Sequence, residues 1–318
     1  MVTCDIGRCF TKEISYLCYM ENEIIQMNDI NTYCKYCGFE VLHPLVAVVD
    51  MAEAKRNYPE CKLNYGLYAL WLKQGVGCTI RYGRRNYDYQ DGTVVSFAPG
   101  QVVQVEPNVG VSSSAIGLLF HPDLIHGTSL GRKIERYSFF SYNDAEALHL
   151  SEREREQYLM IIESIKRELS HDIDRHSKEL LCDNIGMLLD QCLRFYDRQF
   201  ITREKVNGDV LADFESRLNA YFSEGQAKRH GFPTVAGMAG ELCFSVGYFG
   251  DLIKKETGLT AQQYIQNKII DLAKQELLGT ELSVSDIALN LGFEYPQHFT
   301  RMFKKVTGKS PSEFRMIA

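Results

Sequence analysis

Along this chain the spacing of apolar residues follows one period at the front and another behind. Up to about residue 145 the period is two. Cys78, Ile80 and Tyr82 alternate with Thr79 and Arg81, which places the first three on one face of a strand. Thr93-Val-Val-Ser-Phe97 and Gln101-Val-Val-Gln-Val105 flank Pro99-Gly100, the pattern of two strands joined by a tight turn. Val41 to Val49 and Ala115 to Phe120 are apolar runs of buried-strand length. Many short strands punctuated by glycine and proline predict a small barrel or sandwich.

From about Leu150 the spacing is helical. Ser151-Glu-Arg-Glu154 is a capping box, in which each of its two end residues satisfies the other's backbone N–H. Tyr158, Ile162, Ile165 and Leu169 follow on one helical face, and Leu181, Ile185, Leu188, Cys192 and Phe195 on a second helix after His171-Asp172. Such a hairpin must bury its stripe either on its own barrel or against a second copy of the chain. Residues 199 to 209 (QFITREKVNGD) are polar, contain Asn-Gly and form the candidate linker. The expected organisation is a front domain over 1–148, a helical hairpin over 149–203 and an all-α domain over 209–318.

The last domain contains an internal duplication. Thr234-Val-Ala-Gly-Met-Ala-Gly-Glu-Leu-Cys-Phe244 aligns with Ser283-Val-Ser-Asp-Ile-Ala-Leu-Asn-Leu-Gly-Phe293 at an offset of 49. After one inserted residue the match continues at an offset of 50, where Phe249, Leu252, Ile253, Lys254, Lys255, Thr257 and Gly258 meet Phe299, Met302, Phe303, Lys304, Lys305, Thr307 and Gly308. Repetition on this scale marks one supersecondary unit used twice.

Each copy reads helix, short turn, helix. In the second, Ser283 caps a helix with Val284, Ile287, Ala288 and Leu291 turned inward, and Gly292 ends it. The next helix starts near Tyr295 and stops at Gly308, after which Ser310-Pro-Ser-Glu313 starts another. In the first copy Met238, Ala239 and Leu242 take the same inward places. Two short helices around a tight turn form the helix-turn-helix that reads DNA, its second helix lying in the major groove. The expected units span about 234–257 and 283–307.

On the second reading helix Phe299, Met302, Phe303 and Val306 are the expected buried stripe. Gln297, His298, Thr300, Arg301, Lys304 and Lys305 face outward. Arg, Gln and Thr can address base edges, whereas Lys serves phosphate as a mobile charge. An amphipathic helix alone would be explained by a solvated face; the duplicated, basic-ended helix is what points to DNA. With Tyr295 at the helix start and Ser245, Tyr248, Asp251, Lys254 and Lys255 on the first reading helix, these residues make up the expected DNA-binding set.

Composition changes this picture little. Of 318 residues 45% are hydrophobic and 24% charged, and the net charge is −6, so a DNA-binding surface must be a local patch. No apolar stretch reaches the roughly 18 residues of a membrane span, and the start of the chain has no secretory pattern. A cytoplasmic protein is expected, its ten cysteines mostly buried thiols. Cys34-Lys-Tyr-Cys37 lacks the second ligand pair of a zinc site.

Residues from about 210 to 318 resemble the DNA-binding domain of the AraC/XylS transcription regulators. Ile287-Ala288, Leu291-Gly-Phe293, Phe299-Thr-Arg-Met-Phe-Lys-Lys305, Gly308 and Ser310-Pro-Ser-Glu-Phe-Arg315 carry the resemblance, in order. It implies a bacterial regulator with two helix-turn-helix units joined by a long helix, here about Ala261 to Gly279, that read adjacent major grooves of duplex DNA. The first unit departs from the pattern. Gly250-Asp251 stands where members commonly have Ser-Arg, Ile269 where an Arg is frequent, and Gly237 and Gly240 loosen the supporting helix.

The resemblance also implies a cupin-like barrel at the front that binds a small effector or pairs two chains. The fold class expected is therefore α+β, a cupin-like barrel with a helical hairpin followed by the all-α domain. Tyr65, Tyr68, Trp71, Tyr82 and Tyr87 are candidates to line an effector pocket, with core packing the competing use. A metal-dependent cupin enzyme would need closely spaced histidines; His43, His121 and His126 include no H-x-H pair, so neither catalysis, metal nor cofactor is expected. The resulting expectation is an effector-controlled, homodimeric DNA-binding regulator. The alternative is a sensory or catalytic cupin whose helical tail binds a protein partner.

Overall fold

The computed structural model describes residues 24–55, 61–73, 78–81, 92–107, 114–143, 146–202 and 204–317. The chain divides into two compact units, one ending at Gln199 and the other beginning at Phe200. The first mixes strands and helices; the regular structure of the second is entirely α-helical.

In the front unit β1 (Ile24–Met27) leads into α1 (Ile30–Cys37), capped where Asp29 accepts from the Thr32 N–H at 2.8 Å. There follow β2 (Val46–Asp50), β3 (Cys61–Tyr65), β4 (Tyr68–Lys73), β5 (Cys78–Arg81), β6 (Thr93–Phe97), β7 (Gln101–Pro107) and β8 (Ala115–Phe120). Two short helices, α2 (Pro122–Ile125) and α3 (Ser129–Lys133), precede β9 (Leu148–His149). The strands form two sheets, ordered β1-β3-β7-β5 and β2-β8-β4-β6-β9. One apolar cluster unites them: Leu63, Tyr65 and Val103 from the first sheet meet Val49, Trp71, Phe97 and Leu119 from the second, with Tyr33 and Cys34 of α1.

The expected tight turn at Pro99-Gly100 joins β6 to β7, but β6 belongs to one sheet and β7 to the other. The chain turns a corner because Gln101 binds locally and across it. Its Oε1 accepts from the Ala98 N–H at 2.9 Å and its Nε2 donates to the Phe140 carbonyl at 3.0 Å, while the Gly100 N–H reaches the Tyr65 carbonyl at 2.6 Å. The run from Val41 to Val49 is strand only from Val46; Pro44 cannot donate within a ladder.

Helix α4 (Glu152–Leu169) begins at the capping box that Ser151 and Glu154 form, and α5 (Ser177–Thr202) is its long neighbour. The expected stripes are both buried, with Tyr158, Ile165, Ile185 and Leu188 at 0% exposure. They are covered within their own unit. Tyr196 of α5 stacks on Phe139 at 5.5 Å, Tyr137 donates to Asp190 at 2.8 Å, and Arg198 holds both Glu154 oxygens (2.8 and 2.9 Å) and the His149 carbonyl (2.6 Å).

The second unit contains α6 (Glu204–Ser223), α7 (Gln226–His230), α8 (Val235–Glu241), α9 (Val246–Thr257), α10 (Ala261–Gly279), α11 (Val284–Asn290), α12 (Pro296–Thr307) and α13 (Pro311–Ile317). The polar stretch at 199–209, read as a linker, is helical at every described residue. Its Asn-Gly pair lies inside α6. No described helix is long and apolar enough to cross a membrane.

Candidate nucleic-acid interface

The second helix pair is set up by local chemistry. The Ser283 hydroxyl accepts from the Asp286 N–H at 3.1 Å, starting α11, whose Ile287 and Ala288 are fully buried. Gly292 then turns at φ 93 and the Phe293 N–H returns to the Ala288 carbonyl at 2.9 Å. Pro296 opens α12, where its missing N–H costs nothing. Phe299 and Phe303 are the buried side of α12; Phe303 meets Phe314 of α13 edge-on at 5.5 Å.

A second constraint acts at Gly292. A Cβ there would lie 2.6 Å from the Phe232 nitrogen and 2.7 Å from the Gly231 carbonyl carbon. The segment between α7 and α8 is thus seated directly on this turn. Tyr221 secures it by donating to the Gly231 carbonyl at 2.9 Å, and the rings of Phe232 and Phe293 lie 5.6 Å apart.

The outer face of α12 presents Gln297, His298, Arg301, Lys304 and Lys305, all exposed. Tyr295, 49% exposed, meets the His298 ring edge-on at 5.6 Å. From Tyr295 to Ser312 the chain has four cations, Arg301, Lys304, Lys305 and Lys309, and no acid. Thr300 differs from the expectation. It is half-buried, and its hydroxyl donates to the Pro296 carbonyl at 3.1 Å, one helical turn back. Val306, expected in the buried stripe, is 46% exposed, because α13 packs over Phe303 and leaves the last turn of α12 uncovered.

The first pair repeats the backbone plan. Thr234 accepts from the Gly237 N–H at 3.0 Å, Met238 and Ala239 are buried, and the Phe244 N–H reaches the Ala239 carbonyl at the same 2.9 Å. At the turn, however, stands Cys243 with φ 64, the one non-glycine residue at positive φ among those described. Ser245 caps α9 by accepting from the Tyr248 N–H at 3.2 Å and is 8% exposed. Tyr248 is 4% exposed, between Phe244 (5.5 Å) and Phe200 (5.0 Å). Both belonged to the expected DNA-binding set; here one is a helix cap and the other part of the apolar core. Lys254 and Lys255 are exposed and Asp251 half-buried. On α9 these two lysines are matched by Asp251 and Glu256, whereas α12 has only cations.

The sequence reading gave no role to Lys228, Arg229 and His230, exposed at the end of α7 just before the segment that covers Gly292. Three consecutive bases ahead of a glycine were the available signal. They also suit a helix C-terminus, and Arg229 donates to the Glu224 carbonyl at 2.6 Å.

The front-unit candidates fall apart by strand parity. Tyr65 and Trp71 point into the space between the sheets, with Tyr33 6.4 and 6.3 Å away, and the Trp71 ring lies where a Cβ of Gly117 would be. Tyr68 lies on the other face of β4, stacked on Phe120 at 5.0 Å. Tyr82 and Tyr87 lie outside the described residues. His121 and His126 flank Asp123 at 3.4 and 3.3 Å, while His43 is buried, which lowers its pKa, and accepts from the Leu45 N–H. No group of three or more His, Cys, Asp or Glu suited to a metal ion occurs among the described residues. Cys34 and Cys37 are buried thiols, and desolvation pushes Cys34 up to about 11.

A family model described as a helix-turn-helix domain matches residues 238–316. The arabinose operon regulatory protein of Salmonella typhimurium is 33% identical over 113 residues, 35% of this chain and 40% of that protein. Its Escherichia coli counterpart is 33% identical over 81 residues, 26% of this chain and 28% of that one. The transposon Tn10 TetD protein of Escherichia coli is 35% identical over 123 residues, covering 39% of this chain and 80% of TetD. The chain thus spans less than half the length of the two arabinose regulators.

Proposed function

We propose, for a chain that belongs to the AraC/XylS family of transcription regulators, sequence-specific binding of duplex DNA through helix-turn-helix units at about 234–257 and 283–307. The observation that carries this reading is the outer face of α12, where Gln297, His298 and Arg301 can meet base edges and Lys304 and Lys305 phosphates. Arg301 is the principal reader, since a guanidinium can bind guanine bidentately. With Tyr248 buried and Ser245 spent on a cap, the first unit contributes through Lys254, Lys255 and Asp251.

Selection of bound fragments from the source genome, followed by titration at two salt concentrations, tests this. Saturable binding to particular fragments that weakens with salt supports it. Binding that ignores sequence refutes it.

The wider reading assigns 1–148 to a cupin-like effector domain, 149–203 to a helical hairpin and 209–318 to DNA binding, in a cytoplasmic homodimer. Tyr65 and Trp71, which share the inter-sheet space, remain the effector candidates, and Tyr68 leaves the set. The stripe from Leu181 to Phe195 is already buried in the single chain, so this reading does not place the dimer seam on it. Met160, Leu180 and Met187, exposed on the same two helices, are the apolar surface on offer. Sedimentation of the full chain at tens of micromolar, roughly, is the check. A monomer there removes the homodimer from the reading.

A further inference from the structure

The helical unit holds a cavity of about 180 Å³ at the junction of its two helix pairs. Its walls come from three segments. Val235 belongs to the first pair, Phe293 and Met302 to the second, and Ile269, 1% exposed, to the helix α10 between them. No residue lining it is ionisable. The polar groups at its edge are the side chains of Gln262 and Gln266, one turn apart on α10, and the Thr234 hydroxyl, which already caps α8.

Chemistry and size together select the occupant. A charge would enter without a counter-charge and lose its water, which is strongly unfavourable in an apolar site. An apolar cavity of roughly 150 Å³ takes benzene, so this one has room for one or two fused rings. At this volume the site fits a small molecule rather than the side of a helix or strand. We propose that this junction binds a small neutral aromatic molecule bearing one hydrogen-bonding group, held flat against Ile269 and Phe293 and hydrogen-bonded by Gln262 or Gln266. The site is independent of any effector in the front unit. Its occupant touches both helix pairs at once, so binding resists any change in the angle between them.

Isothermal titration of the full chain with indole tests the site without reference to DNA. Indole has a bicyclic apolar body and one N–H for a glutamine oxygen. Saturable binding at one site per chain is expected. Indole-3-carboxylate, the same ring with a negative charge, is expected to bind at least ten-fold more weakly. Val235→Trp fills the cavity from a half-buried position and should weaken indole at least ten-fold; Val235→Phe, a smaller change, serves if the tryptophan variant does not fold. Absence of saturable binding overturns the proposal, as does equal affinity in wild type and the filled variant. Sedimentation of the same proteins gives the last arm. Self-association of wild type that Val235→Trp abolishes makes a second copy the occupant and also overturns it.

Discussion

Cys243 and Gly292 occupy the same place in the two helix pairs, and both turn through positive φ, at 64 and 93. The backbone bond that follows, from Phe244 to Ala239 and from Phe293 to Ala288, is 2.9 Å in each. What differs is the surroundings. The first turn is exposed at Cys243, whereas the second lies under the Gly231-Phe232 backbone. A left-handed turn is costly for a residue with a Cβ but tolerable; a Cβ driven into a neighbouring backbone is not. The outer faces diverge as well, balanced in charge on α9 and wholly cationic on α12. One backbone plan thus supports two turns with different tolerances and two faces with different chemistry.

Substitution at the turns should give the largest separation. Gly292→Ala is expected to cost about 2–3 kcal/mol of stability, from backbone strain plus the clash. Cys243→Ala should stay within about 0.5 kcal/mol of wild type, and Cys243→Gly should gain up to about 1 kcal/mol. Thermal unfolding of the three variants measures this. A Gly292→Ala loss no larger than the Cys243→Gly gain would mean that φ alone, and not the seated segment, decides.

The faces are compared by DNA titration. Arg301→Ala should cost about 1–3 kcal/mol of base discrimination and relax preference at one position. Asp251→Ala, at the equivalent place, should leave affinity equal or higher, chiefly by non-specific binding. Specificity lost from Asp251→Ala but not from Arg301→Ala would reverse the assignment, with Asp251 then accepting from a cytosine amino group.

A smaller effect is expected from Lys304→Ala. Every sequence should weaken alike, and the slope of log affinity against log salt should flatten by about one ion. A loss confined to one sequence would make Lys304 a base reader.

The smallest concerns the helix between the pairs. Glu276 of α10 faces Asn290 of α11, its Oε2 has no hydrogen-bond partner, and burial raises its pKa above the ordinary carboxylate value. The folded state therefore holds this proton more tightly than the unfolded state. Stability from this group is present at low pH and falls as pH rises through the raised value. Glu276→Gln should remove that slope and melt slightly higher at neutral pH. An unchanged pH profile would place the titration elsewhere.

Local chemistry was legible in the sequence wherever a few neighbouring residues decide it. The caps at Ser151, Ser283 and Ser310 and the stops at Gly258 and Gly308 lie where spacing put them. Sheet membership was not legible. The corner after Phe97 depends on Gln101 reaching Phe140, thirty-nine residues on, and separating Tyr68 from Trp71 requires knowing that both lie in β4 and which of its faces is turned to the other sheet. Within the candidate site, the outward face of α12 could be read from periodicity, since neighbouring helices cover its other side. Ser245 and Tyr248 could not, because a cap and a ring between Phe244 and Phe200 carry the same residue types as a reading face.

Cys243 also has a practical consequence. Among the described cysteine side chains, Cys34, Cys37, Cys182 and Cys192 are buried and Cys243 is exposed. Burial pushes Cys192 up to about 12, so a thiol-selective dye near neutral pH should reach Cys243 well before these four. Peptide mapping would confirm the attachment point. A fluorophore on Cys243 would stand at the first turn, outside the backbone contact that closes the second. Its emission would report what approaches that turn, so a feature that costs the fold some strain becomes a fixed vantage point for watching it.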